Sequence, residues 1–319
     1  MTFSIDRRDM LRLAGVSAAG ALAPASRLFA QSDAQVPIEL SFWGGKNAFR
    51  MHPRAAIISY PIRFILAGEG SGGGSVGIFL SLKGPTETDM QKLTAEARND
   101  LAARLAAIGL PAVPPAEMLA NPDFAALPKA AGGSKWEQGV LDPMGKRIWY
   151  ITGCPDAPLH DKWGTTDGRA EMMSMGKMTA ASRSLNAVAL VPHLTLEFST
   201  LSGSVKSGSK GSTSWVGGEI LFGFKPHSNS YFMAGGKRSI EMVGGGFQTK
   251  GRVLISPSRL PGELKSAVAT PGAEMAKRLG RARIDEFVVD MTAWREWVRQ
   301  AFRGYNAEMV RHIATALPR

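Results

Sequence analysis

The sequence predicts an α/β chain of mixed (α+β) type: a mixed sheet flanked by helices, a β-hairpin-rich insertion and a long C-terminal helix. Three features carry that expectation. Residues 62–66 and 76–82 have strand character on either side of a glycine-rich link, and Val76, Ile78, Leu80 and Leu82 fall on one face. Met90, Leu93, Ala97, Leu101, Leu105 and Ile108 recur at helical spacings of three and four. Trp294, Val298, Phe302, Tyr305, Met309 and Ile313 form one stripe of a helix expected over residues 291–316.

Taken in order, residues 31–53 read as an irregular leader containing Phe42-Trp43-Gly44-Gly45. The strand pair comes next. Gly84-Pro85-Thr86 then supplies a helix start, and Gly109-Leu110-Pro111 ends that helix. A short apolar step at Ala112-Val113 precedes a brief helix over 115–127. Residues 147–151 read as a strand, 169–185 as a helix and 187–191 as a buried strand. Leu194, Leu196 and Phe198 alternate with Thr195, Glu197 and Ser199, which gives one long strand or two meeting at Pro192. Over residues 202–218, 11 of 17 positions are Gly or Ser, the composition of a flexible hairpin or loop with Lys206 and Lys210 exposed. Short strands are expected at 219–224, 239–243 and 252–255, and beyond Pro261 the chain reads as helical again.

Composition sets the class. The chain has 319 residues, one cysteine, 36 glycines and a formal charge of +11, with 44% hydrophobic and 20% charged residues. These values exclude a disulfide scaffold, a collagen-like repeat, a mainly disordered chain and a polytopic membrane protein. Residues 1–30 have the layout of a cleaved export signal: Arg7-Arg8 and Arg12, a mild apolar run over 13–25, and Leu28-Phe29-Ala30 ahead of Gln31. Residues 31–319 are then expected to form a single periplasmic domain. Removing the signal takes away four arginines and two aspartates and lowers the charge from +11 to +9. A basic exported chain points to anionic components of the envelope and not to nucleic acid. No stretch after the signal is long enough to span a bilayer. Cleavage would expose no cysteine for a lipid anchor.

With its paired arginines, its weakly hydrophobic Ala/Gly core and Arg27 near the cleavage site, the leader resembles a twin-arginine signal. Asp6, Met10 and Arg12 stand where that pattern prefers other residues. Farther on, the helix containing Leu101-Ala102-Ala103-Arg104-Leu105, its end at Gly109 and the step to Val113-Pro114 resemble the helix-to-strand step of the curli-secretion protein CsgG and of TolB amino-terminal domains. The helix end at Leu185 running into an amphipathic strand is of similar build, and the closing segment from Val289 resembles exported bacterial proteins of that type. The resemblance implies a periplasmic α/β scaffold that works by assembly or binding. CsgG is a lipoprotein with its cysteine at the cleavage site, whereas the cysteine here is Cys154, so no functional residue carries over.

Several constellations invite chemistry. The glycine link at 68–77 lacks the Gly-Lys-Ser/Thr ending of a phosphate loop and leads into a strand, which favours a hairpin. Met172, Met175 and Met178 lie three apart on one helix face, where thioethers select Cu(I) or pack as adaptable core filler. Cys154, Asp156, His160 and Asp161 gather a nucleophile, a base and acids within a turn-rich loop without a family signature. Ser207-Gly208-Ser209-Lys210 has the look of a Ser/Lys pair within a Gly/Ser tract. The five histidines are too far apart in sequence for a zinc motif. Arg295, Arg299 and Arg303, with Arg278, Arg281 and Arg283 upstream, offer either an anion or partner surface or a solvated face paired with Glu296 and Glu308. The expected function is a non-enzymatic periplasmic binding or assembly module of the cell envelope, possessing no cofactor and partnering an envelope component or further copies of itself. The alternatives are copper handling by the methionines and, below that, a Cys154-dependent enzyme.

Overall fold

Two long parallel segments, each bent in the middle, organise the molecule. The computed structural model describes residues 36, 38–72, 76–127, 134–142, 145–154, 159, 168–208, 211–224, 228–236, 241–255, 258–266 and 281–317. The expected signal and its cleavage site fall in a first unit, Met1–Gln35, outside the described residues. The helices and strands of the described residues belong to the second unit, Val36–Arg319.

The elements begin with β1 (Leu40–Gly44), α1 (Ala48–Met51), β2 (Arg54–Ile57), β3 (Ile62–Gly72) and β4 (Val76–Lys83). Helix α2 (Glu87–Ala107) and the short α3 (Pro115–Ala120) and α4 (Pro122–Ala125) come next, then the hairpin of β5 (Lys135–Asp142) and β6 (Gly145–Thr152). Helix α5 (Gly168–Ser184) leads to β7 (Ala187–Val191), β8 (Leu194–Glu197), β9 (Thr200–Gly208) and β10 (Gly211–Glu219). The chain ends with β11 (Gly223–Phe224), β12 (Asn229–Gly235), β13 (Met242–Thr249), β14 (Val253–Leu254), β15 (Gly262–Ser266), β16 (Arg281–Val289) and helix α6 (Met291–Ala314).

The smaller sheet has the order β1-β13-β12-β7-β2, parallel only between β7 and β2. The larger runs β14-β11-β8-β3-β4-β16-β15, and β6 pairs with both β3 and β5. Segments 54–65 and 187–197 stay paired as they cross from one sheet to the other. Ile58 N donates to Leu190 O at 2.9 Å on one side of the bend, and Leu194 N donates to Pro61 O at 3.1 Å on the other. At the crossing the ladder to β12 is replaced by side chains. His193 N donates to Ser230 Oγ and Thr195 N to Ser228 Oγ, each at 3.1 Å. These hydroxyls satisfy backbone groups that would otherwise be buried without partners.

Strand alternation assigns the two cores. In β7, buried throughout, Val188 and Leu190 enter one apolar cluster, and Ala187, Ala189 and Val191 the other. The first cluster joins both sheets to α2 and α6, with Trp294, Tyr305 and Phe64 among its large members. The second packs Met178 and Ala181 of α5, Leu185 just past its end, and Met118 and Phe124 of α3 and α4, on the smaller sheet's other face. The mixed sheets, the flanking helices and the long final helix match the fold class expected.

Helix ends obey their local chemistry. Thr86 and Asp89 form a reciprocal capping box at the start of α2, and Gly109 at φ +80° takes the left-handed position after its end. Asp290 Oδ1 caps α6 by accepting from Thr292 N at 2.8 Å and Ala293 N at 3.0 Å.

Two expectations need correction. The leader contains a strand: β1 pairs antiparallel with β13, and the close approach of Gly44 and Gly245 permits it, since a Cβ on Gly245 would be driven into Trp43 O. The region beyond Pro261 expected to be helical contains β15 and β16, and β16 runs parallel to β4. Its buried Phe287 lies within the main core, so tertiary pairing overrides a helix-like composition. Of the two readings offered for residues 202–218, hairpin and loop, the hairpin holds: residues 202–208 and 211–218 form most of a regular antiparallel ladder.

Candidate functional site

The residues singled out from sequence do not converge. Met178 is 1% exposed within the second core, and Met175 packs partly buried against it. The side chain of Met172 lies outside the described residues. In this arrangement Met178 fills core space. Cys154 is buried, with Sγ donating to Thr94 O at 3.7 Å. Asp156, His160 and Asp161 lie outside the described residues, as do Ser209 and Lys210.

Of the three arginines singled out on α6, Arg295 and Arg299 are engaged across the helix pair. Arg295 donates to Asp89 Oδ1 through Nε at 3.1 Å and Nη2 at 2.9 Å. Arg299 grips Glu96 through Nε at 2.8 Å and Nη2 at 3.3 Å, with Glu296 at 3.9 Å. Glu308 pairs instead with Arg311 at 2.6 Å. Arg303 is exposed and makes no ion pair among the described residues. Arg278 lies outside the described residues, and Arg281 belongs to β16. Because Arg295 and Arg299 remain partly exposed, Arg295→Met and Arg299→Met are each expected to lower stability by less than about 1 kcal/mol. Urea titrations at low and high salt check this, since the loss should shrink as salt screens the pairs.

The feature that the structure does assemble is a hairpin on a charged root. β9 and β10 pair over nine residues, from Thr200↔Glu219 to Gly208↔Gly211, as a two-stranded sheet of their own. Leu201 at the base is buried beside Gly68, and a Cβ on Gly68 would lie 3.0 Å from Leu201 Cδ1. Glu197 ends the strand that leads into β9, and Arg252 approaches its Oε1 at 3.4 Å. Arg252 Nη2 also donates to Leu221 O at 3.0 Å, just past the other foot. Burial lowers the pKa of Arg252, and the charges of Glu197 and Glu219 oppose that shift. One guanidinium thus reaches both feet of the hairpin.

The charged root continues across the larger sheet. Arg63 is paired in register with Thr195, and its guanidinium lies 5.0 Å from the centroid of the Trp149 ring. Trp149 Nε1 donates to Glu137 Oε2 at 3.0 Å, and Lys135 Nζ lies 2.8 Å from Glu137 Oε1. Burial alone would raise the pKa of Glu137, but the hydrogen bonds from Lys135 and Trp149 prevail and hold it below the ordinary carboxylate range. His193 is 7% exposed, and its Nε2 has no hydrogen-bond partner among the described residues. Desolvation, reinforced by the charge of Arg63, pushes its pKa down to about 3, so the ring is neutral at pH 7.

Thr195 and Glu197 are buried because the second face of these strands is also covered. The usable signal was charge inside otherwise apolar strands, at Ile62-Arg63-Phe64 and Leu196-Glu197-Phe198. No metal-holding group of three or more His, Cys, Asp or Glu occurs among the described residues. No helix among them is long and apolar enough to cross a membrane. Comparison with protein-family models, curated proteins and solved structures finds no match to this chain.

Proposed function

We propose that the protein is an exported, non-enzymatic binding or assembly module of the cell envelope, acting in the periplasm and joining further copies of itself or an envelope partner through the β9–β10 hairpin. The observation that supports this reading most directly is the nine-pair ladder standing as its own sheet on a charged root. The hairpin lies against β3 and β4 but its ladder has no third strand, so its outer edges offer backbone donors and acceptors for pairing. Pairing with a neighbour would satisfy those groups. The anchoring of both feet by Arg252 fits an element that must hold a fixed direction.

The test compares two chains lacking residues 1–30, one otherwise intact and one with residues 204–215 replaced by Asn-Gly, which suits a two-residue hairpin turn. Light scattering coupled to size exclusion should show an oligomer for the intact chain. The trimmed chain should be a monomer with unchanged circular dichroism and melting temperature. A monomeric intact chain, or equal assembly by both, would overturn the reading.

A further inference from the structure

Away from the hairpin root, the first turns of α2 and the β5–β6 hairpin bring an aromatic pair among uncharged and acidic hydrogen-bonding groups. Trp136 leans on Tyr150 with ring centroids 5.3 Å apart and planes inclined by 54°. Its Nε1 donates to Glu87 Oε1 at 2.6 Å. Tyr150 is itself fixed from below, because Gln91 Nε2 donates to its hydroxyl at 2.9 Å and the ring is 2% exposed. Ser134 adds a hydroxyl, donating to Thr152 Oγ1 at 2.9 Å. Trp136 nevertheless remains 49% exposed. The indole is therefore held through its N–H and by Tyr150, while much of its surface faces solvent.

We propose that Trp136 is the stacking platform of a saccharide site, with Glu87, Gln91 and Ser134 as hydrogen-bonding partners for the hydroxyls of a pyranose ring. The inference rests on the reading of the protein as an envelope module and names a ligand class for it. A pyranose has an apolar C–H face that covers an aromatic plane and a rim of hydroxyls that need planar acceptors and donors. A carboxylate, a carboxamide and a hydroxyl beside a fixed indole supply both. Pre-fixing the indole also lowers the ordering cost of binding. Competing ligand types fit less well. A quaternary ammonium is best enclosed between aromatic faces, but Trp136 and Tyr150 touch and leave no slot between them. A nucleotide would bring phosphate charge toward Glu87 and Asp89. An apolar peptide side chain would make no use of the acceptor and donor positions of Glu87 and Gln91 that Trp136 and Tyr150 leave open.

The experiment tracks the indole N–H resonances of the nitrogen-15-labelled chain lacking residues 1–30. Trp136 is assigned by its absence in Trp136→Phe. Triacetylchitotriose, with the sugar chemistry of a peptidoglycan strand, and maltotriose, a plain glucan, are titrated separately. The Trp136 resonance should shift saturably in the millimolar range with at least one sugar. Response to the amino-sugar alone assigns peptidoglycan, and response to maltotriose assigns a broader glycan. Binding, read from the remaining resonances, should weaken about tenfold in Trp136→Ala and stay within about threefold of the parent in Trp136→Phe. Trp43→Ala, at another half-exposed tryptophan among the described residues, should bind as the parent does. No saturable shift with either sugar, unchanged binding by a folded Trp136→Ala chain, or a response to glycine betaine in place of sugar would overturn the proposal. The hairpin-trimmed chain should still bind, so failure of assembly and failure of this site are read separately.

Discussion

Between pH 6.5 and pH 4.5 the protein is expected to lose roughly 2 kcal/mol of stability through one side chain, His193. Its folded pKa is near 3 against an ordinary value of 6.5, so within this window the unfolded chain binds a proton that the folded chain refuses. Below pH 6.5 the fall in stability steepens toward about 1.4 kcal/mol for each pH unit, and it levels off only near pH 3. The carboxylates held below their ordinary range, Asp89, Glu137 and Glu308, are shifted in the same direction, so their stabilisation is also lost as the pH falls, but lower down, through the ordinary values of 3.8 to 4.5 and below. From pH 6.5 to about 5.5 they are almost fully ionised in both states, so the slope there isolates the histidine. Urea unfolding at half-unit pH steps should show it, and His193→Gln should flatten it. An equal slope in that variant would remove His193 as the cause.

Asn306→Leu is expected to cost about 3 kcal/mol, because it breaks a polar junction inside the main core. Asn306 Oδ1 accepts from Tyr60 OH at 2.7 Å, and its Nδ2 donates to Ala97 O and Asp100 Oδ2, each at 2.9 Å. The residue is fully buried, so leucine leaves the Tyr60 phenol without a partner in a dry site and takes a second donor from Ala97 O and one from Asp100. Burial already pushes the Tyr60 hydroxyl well above the usual tyrosine pKa, so it cannot escape by ionising. Tyr60→Phe removes that orphan, and the double variant Tyr60→Phe/Asn306→Leu should therefore lose less than the sum of the two single changes. Strict additivity in chemical denaturation would show that the junction does not act as a unit.

Much of the fold is legible in the sequence where one face alone is buried. Met90, Leu93, Ala97, Leu101 and Leu105 keep helical spacing and are all buried, and the same holds for the stripe from Trp294 to Ile313. Residues 187–191 are readable as a doubly buried strand, and Pro192 does separate β7 from β8. Legibility fails where a distant partner decides. Arg281-Ala282-Arg283-Ile284-Asp285-Glu286 carries helix-forming residues, and only its parallel pairing with β4 makes it a strand. β1 is short and begins beside irregular chain, and it exists because β13 offers a glycine opposite Gly44. The charged root of the hairpin was hidden for a related reason. No local pattern brings Arg63, Glu197 and Arg252 to one sheet, and no spacing rule points Trp136 at Glu87.

The bent pair of parallel segments has a kinetic consequence. Ile62 pairs with Leu194 and Val76 with Arg281, and Tyr60 reaches Asn306 across 246 positions of chain. Contacts of such long range close large loops before they are rewarded, so the protein should fold slowly for its size. The N-terminal strands must wait, with apolar faces uncovered, for the last helix to be made. The final helix then acts as the latch that ends that exposure.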